Sequence, residues 1–300
     1  MTDLYCLSQL IKNHPQYIQA KDEIHALYRG LGRIGQLGAA ELLDQLQLHF
    51  YQLYRDIRLR HESYRENWEQ SLRLKLQGIQ FVCYGEPLYP SGCYFMEDPP
   101  LFLSYWGAPA WLGERTIAVV GSREPSAESL QWMESQFSLF CETQRPCVVS
   151  GGARGVDQKA HGLALRKLCP TIVVLPSGLG QMYPQSLQEW IEPILTNGGC
   201  FISEYIYDQR MHKNLFHHRN RLIAALGRGT LLIEAKRRSG TLITATQSVQ
   251  LGKPVWVVPG HPLDPHFAGS LDVLSEGAQL VRDAEDINMF FSSELISESL

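Results

Sequence analysis

Residues 116–178 read TIAVVGSREPSAESLQWMESQFSLFCETQRPCVVSGGARGVDQKAHGLALRKLCPTIVVLPSG. Three short apolar runs, Ile117–Val120, Cys147–Val149 and Ile172–Leu175, alternate with two helix-length segments, Ser126–Glu142 and Val156–Leu168. Strands without polar alternation are buried on both faces, and strands separated by helices pair in parallel through right-handed crossovers. The rhythm continues with apolar runs at Cys200–Ile202, Thr230–Ile233 and Val255–Val258, and with helical segments Ser186–Leu195, His217–Leu226 and Leu242–Leu251. The pattern predicts an α/β, doubly wound, mostly parallel sheet of about six strands.

Outward from this core the character changes on both sides. Residues 1–77 carry helical periodicity, with Leu42, Leu46, Phe50, Leu53 and Ile57 at helical spacing, and are expected to form a small helical N-terminal domain. Within it, Leu31–Ala39 followed by Leu42 and Leu43 is like a degraded helix-hairpin-helix (SAM/helix-hairpin-helix-like) pattern. Arg33 stands where that pattern has Gly, so a packing or protein-contact module is expected there rather than a DNA-binding hairpin. Residues 78–113, with Leu88-Tyr89-Pro90 and Asp98-Pro99-Pro100, are expected to be an extended strap joining the sheet domain of residues 114–290. Residues 291–300 read as a polar tail.

The composition excludes several classes. With 300 residues, 44% apolar and 19% charged, the chain is neither collagen-like nor coiled-coil nor mainly disordered. Its apolar runs fall far short of the roughly 20 residues that cross a bilayer, and its first residues lack a signal pattern. Seven cysteines, an odd number without a CxxC pair, fit neither a disulfide framework nor a zinc site, and a cytoplasmic protein is expected. The net charge of −4 hides an uneven distribution: residues 115–260 carry 16 Lys and Arg against 10 Asp and Glu. Such a basic middle is either a solvated surface or a field that attracts phosphates.

In an open α/β sheet, ligands bind outside the carboxyl ends of the strands. There stand Gly121-Ser122-Arg123, a turn with anion-facing amides and a guanidinium, and Ser150-Gly151-Gly152-Ala153-Arg154-Gly155-Val156-Asp157, a bare loop before a helix. The turn after the first strand is not GxGxxG, no GxxxxGK[ST] P-loop occurs, and no GxSxG surrounds Ser150, so it is not read as a nucleophile. Asp157 is expected to cap its helix, and Glu234, in a basic neighbourhood, to pair with an arginine. Lys213, Phe216, Arg219, Asn220 and Arg221 form the densest basic cluster, with Phe216 either a stacking platform or a core anchor. His212, His217 and His218 lack an acidic or Cys partner at metal-binding spacing. Ser239-Gly240-Thr241 opens another helix beside Lys236, Arg237 and Arg238.

In this order, these motifs resemble the DNA-processing protein A family (DprA, also called Smf). The resemblance rests on Leu88-Tyr89-Pro90, Asp98-Pro99-Pro100, Gly121-Ser122-Arg123, Ser150–Asp157, Phe216 with Arg219-Asn220-Arg221, Glu234-Ala235, Ser239–Ala245 and Pro259-Gly260, over roughly residues 80–285. It implies an extended Rossmann-like domain that binds single-stranded DNA, forms a homodimer and loads the RecA recombinase in natural transformation or related recombination. It also implies a groove made by Gly121, Ser122, Arg123, Ser150, Gly151, Gly152, Lys213 and Phe216, with Lys253 as a further phosphate contact. Where the family usually has Gly-x-Asn, this chain reads Gly269-Ser270-Leu271-Asp272, and no C-terminal winged-helix domain is expected. No catalytic residue, metal or cofactor is expected. The rival reading is a nucleotide-binding or phosphoribohydrolase-like enzyme of the lysine-decarboxylase-like group, in which Thr244 stands where that group carries a catalytic Glu.

Overall fold

The computed structural model describes residues 70, 73–113 and 115–297. The helical domain and the hairpin-like stretch expected before residue 70 lie outside the described residues. The six anticipated strands form as β3 (Thr116–Gly121), β4 (Cys147–Ser150), β5 (Thr171–Val174), β6 (Cys200–Ser203), β7 (Thr230–Ile233) and β8 (Val255–Val258). All pair in parallel, in the order β6-β5-β4-β3-β7-β8. Three further strands widen the sheet to nine. β2 (Phe102–Gly107) pairs antiparallel with β6, β1 (Ile79–Cys83) pairs antiparallel with β2, and β9 (Gln279–Leu280) pairs with β8.

The expected strap is therefore part of the sheet. Tyr105 of β2 stands opposite Ile202 of β6, and Ile79 of β1 opposite Trp106. Between the two strands, the rings of Tyr84, Tyr89 and Tyr94 lie 4.8–5.3 Å apart, and the Tyr89 hydroxyl donates to the Pro100 carbonyl at 2.7 Å. Aromatic packing and a hydrogen bond on the buried polar tip thus close this connection.

The helices are α1 (Ala127–Trp132), α2 (Ser138–Gln144), α3 (Val156–Arg166), α4 (Ile191–Thr196), α5 (Lys213–Leu226), α6 (Gly240–Gln250), α7 (Ala268–Ser275) and α8 (Ala284–Ser297). A π turn, Met133–Phe137, joins α1 to α2. The uninterrupted apolar character of β3 has a direct structural reason. Ala118 and Val120 enter one core with Leu222, Ile223 and Ala225 of α5, whereas Ile117 and Val119 enter the other with Val156, Ala160 and Leu163 of α3. Alternate side chains of one strand thereby fill two opposite layers.

Candidate nucleic-acid interface

From β3 the chain runs outward through β4, β5 and β6, then returns to place β7 on the other side of β3. At this switch point the loops after β3 and β7 diverge and leave a crevice. The cleft, about 750 Å³, has Gly121, Ser122 and Arg123 on one wall and Ser239, Gly240 and Thr241 at the start of α6 on the other. Lys213, Phe216 and Asn220 of α5 complete it. The helix begins at Lys213, four residues earlier than expected, so these three side chains fall at i, i+3 and i+7 on one face.

Hydrogen bonds fix the walls to one another. The Thr241 hydroxyl donates to the Gly121 carbonyl at 2.9 Å, and the Asn220 amide to the Gly240 carbonyl at 3.1 Å. Glu234, fully buried with φ of 57°, accepts from the Ser126 amide at 2.7 Å and from the Ser126 and Ser129 hydroxyls at 2.7 and 2.8 Å. These serine donors take the place of the arginine expected beside it. A carboxylate at the end of β7 thus anchors the loop that follows β3 and, with it, Arg123. Gly155 closes that loop onto the next: a Cβ there would stand 2.3 Å from the Ser122 carbonyl oxygen, and its φ is 83°.

The second glycine loop serves the fold more than the opening. Ser150 is buried and donates to the Val119 carbonyl at 2.6 Å. Gly151 is bare because the Arg219 guanidinium occupies that space; a Cβ would stand 2.4 Å from its Nη1. Gly152 is held against Leu187, with φ of 68°. Arg219 is 2% exposed and donates to the carbonyls of Gly151, at 2.7 Å, and Val174. It reaches the cleft as part of the floor under Phe216. Asp157 lies in the first turn of α3, accepting from the Ala153 amide at 3.2 Å. Burial pushes its carboxyl up to about 6 against the pull of Arg219, and burial lowers Arg219 to about 10 against the pull of Asp157.

Two expected DNA contacts stand elsewhere. Arg221 is buried, paired with Glu204, and donates to the Asp98 carbonyl at 2.8 Å. Burial alone would lower its pKa, but Glu204 and Asp98 raise it. Lys253 lies at the opposite end of α5. Its ammonium donates to the carbonyls of Ala224, Ala225 and Gly227 at 3.1, 2.6 and 2.7 Å. There it satisfies the helix C-terminus.

Phe216 is half-buried, with the Arg123 guanidinium 5.0 Å and that of Arg219 5.6 Å from its ring centre. Tyr183 meets it at 5.6 Å and 89°. Sequence reasoning passed over Tyr183, although its loop follows β5 and so also lies beyond a strand's carboxyl end. Arg123 and Lys213 are exposed and have no ion-pair partner among the described residues. The carboxylate of Glu124 lies beside them on the rim.

The model of the DNA recombination-mediator protein A family matches residues 80–292, a span that contains the cleft residues described above and strands β2 to β9 in full. The chain belongs to this family. The DNA processing protein DprA of Bacillus subtilis is 30% identical over 254 residues, covering 84% of this chain and 80% of that protein. The crystal structure of DprA from Streptococcus pneumoniae superposes with a TM-score of 0.66 at 32% identity, covering 76% of this chain and 81% of its own. A structure of DNA processing protein A from Helicobacter pylori, described for its single-stranded DNA binding mode, gives 0.62 at 27% identity, covering 73% and 96%. The role of this family member is that of a DNA-processing recombination mediator.

In this DprA relative, the departure at residues 269–272 is absorbed locally. The Gly269 and Ser270 amides donate to the Ala235 carbonyl at 2.8 and 3.1 Å, and the Ser270 hydroxyl accepts from the Ala235 amide at 2.8 Å. Asp272 binds Arg237 through two hydrogen bonds of 2.6 and 2.8 Å, which draws one of the three consecutive cations away from the cleft. His218 sits between Asp98, at 3.5 Å, and Glu204, at 3.0 Å. Burial opposes its protonation, but the two carboxylates raise its pKa overall.

Proposed function

We propose that the cleft binds single-stranded DNA, with Arg123 and Lys213 on phosphates, Ser122 and the first turn of α6 (Ser239, Gly240, Thr241) facing the same backbone, and Phe216 against a sugar or base. The observation that carries this reading is the cleft itself. It opens at the switch point of the sheet and presents two exposed cations without counter-ions beside an aromatic ring. Charges that track a backbone beside rings that take bases are the chemistry of single-strand binding. As a homodimer in the cytoplasm, the protein would then pass the strand to the RecA recombinase during natural transformation or related recombination. This step breaks no bond and calls for no catalytic residue, metal or cofactor.

Fluorescence anisotropy with a labelled oligonucleotide, single-stranded against duplex and across a salt series, tests the reading. The expected result is a salt-sensitive preference for the single strand. Equal and weak binding to both forms would leave only a generic basic surface.

A further inference from the structure

Beyond Phe216 the groove does not end. A second cavity, about 870 Å³, shares Arg123, Glu124, Ala153, Tyr183 and Phe216 with the first and continues to Arg154 and the Pro184–Ser186 segment. The two are lobes of one groove, with the contact between Arg123 and Phe216 as the sill between them. We propose that this second lobe is a further nucleotide subsite, in which Tyr183 stacks a nucleobase and Arg154 holds the adjoining phosphate. The proposal rests on the single-strand reading of the first lobe.

The two aromatic rings differ in what already covers them. Phe216 carries two guanidiniums at 5.0 and 5.6 Å and meets the Tyr183 ring at 5.6 Å. Tyr183 leaves 42% of its surface open. A base entering the second lobe therefore finds in Tyr183 a platform whose tilt is set by its perpendicular contact with Phe216. Base–aromatic stacking accepts any base, because each has a π-face.

Arg154 supplies the charge. It is exposed and has neither an ion-pair nor a hydrogen-bond partner among the described residues. Glu124 is the carboxylate on the rim common to both lobes, so a phosphate path is favoured along the Arg154 side. The lobe is also preformed. Gln158 Nε2 donates to the Gly152 carbonyl and to the Ser186 hydroxyl, each at 3.2 Å, which ties α3 to the segment after Tyr183. Leu187, buried beneath, packs on Gly152. A site held in this way loses little freedom on binding.

The test is equilibrium binding of a labelled oligothymidylate to the full chain, as wild type and as Tyr183→Ala, Tyr183→Phe, Arg154→Ala and Lys213→Ala. Tyr183→Ala should weaken binding about 5- to 100-fold without changing the salt slope, and Tyr183→Phe should stay within about twofold. Arg154→Ala should lower the slope by about 0.7, the value for one phosphate on a single strand. A single abasic position in the oligonucleotide should weaken wild type and leave Tyr183→Ala no weaker than before. This scan and Arg154→Ala decide the matter even if Tyr183→Ala folds poorly. Full affinity and slope in the Tyr183 and Arg154 variants, with Lys213→Ala weakened, overturns the second subsite and leaves the first standing. Absence of salt-sensitive single-strand binding by wild type overturns both.

Discussion

Helix α5 carries two kinds of cation within nine residues, and they serve opposite ends. Lys213, with Arg123 across the cleft, is exposed and has no counter-ion among the described residues. Arg219 and Arg221 are buried, one on backbone carbonyls and the other on Glu204. A buried cation stays charged only if its surroundings replace the water it has lost, so its bonds are already committed to the fold. An exposed one keeps its water until a phosphate displaces it. The contrast commits the buried pair to the fold and leaves the open pair free for the proposed ligand.

The harshest way to break this contrast is Arg221→Ala, which leaves the Glu204 carboxylate buried without its arginine. A loss of about 3–5 kcal/mol is expected by urea denaturation. Normal stability with a reduced salt slope would instead make Arg221 a ligand-facing cation.

A second prediction concerns His161, also in the buried layer. The Thr171 hydroxyl donates to the Val148 carbonyl at 2.7 Å, so its oxygen accepts from His161 Nδ1–H, and Nε2 is left without a partner. Burial, aided by Arg219, lowers the imidazole to about 3. Below its ordinary value of about 6.5, the unfolded chain takes up a proton that the folded chain refuses. Relative to His161→Gln, wild-type stability should therefore fall as pH drops from 6.5 toward 3, by up to about 1.4 kcal/mol per pH unit. Asp157, raised to about 6, acts in the opposite sense: its contribution falls as pH rises from its ordinary value of 3.8 to 6. The difference between the two proteins isolates the histidine; a flat difference would mean that His161 protonates in place.

Lys253→Met sharpens the comparison more gently. Uncapping the last carbonyls of α5 should cost about 1–2 kcal/mol in stability and leave the salt slope of DNA binding unchanged. The smallest stability effects belong to the open pair. Arg123→Ala and Lys213→Ala should stay within about 0.5 kcal/mol of wild type, yet each should reduce the salt slope by about 0.7. If either variant unfolds the protein, it belongs with the buried group.

Much of the framework was legible before any coordinates. A strand buried on both faces must be apolar throughout, so the runs from Ile117–Val120 to Val255–Val258 announced a parallel sheet. Residues that follow such strands fall at one edge, which is why Gly121, Arg123, Ser239 and Thr241 stood out together. Other features were hidden for a physical reason. β1 and β2 lie in a stretch whose prolines and aromatics mask strand character, and only the pairing of β2 with β6 and of β1 with β2 reveals them. Gly151 looked like a phosphate cradle but makes room for Arg219, because a bare backbone admits a guanidinium as readily as an anion.

The amino-acid sequence by itself determined the six-stranded parallel core of the sheet, its strand-end loops and the family to which the chain belongs, since those follow from local pattern and from motifs in order. The tertiary structure alone decided which cations face water and which face carbonyls. Burial is a property of what packs around a side chain, and the exposed Arg123 and the buried Arg219 are chemically identical in the sequence.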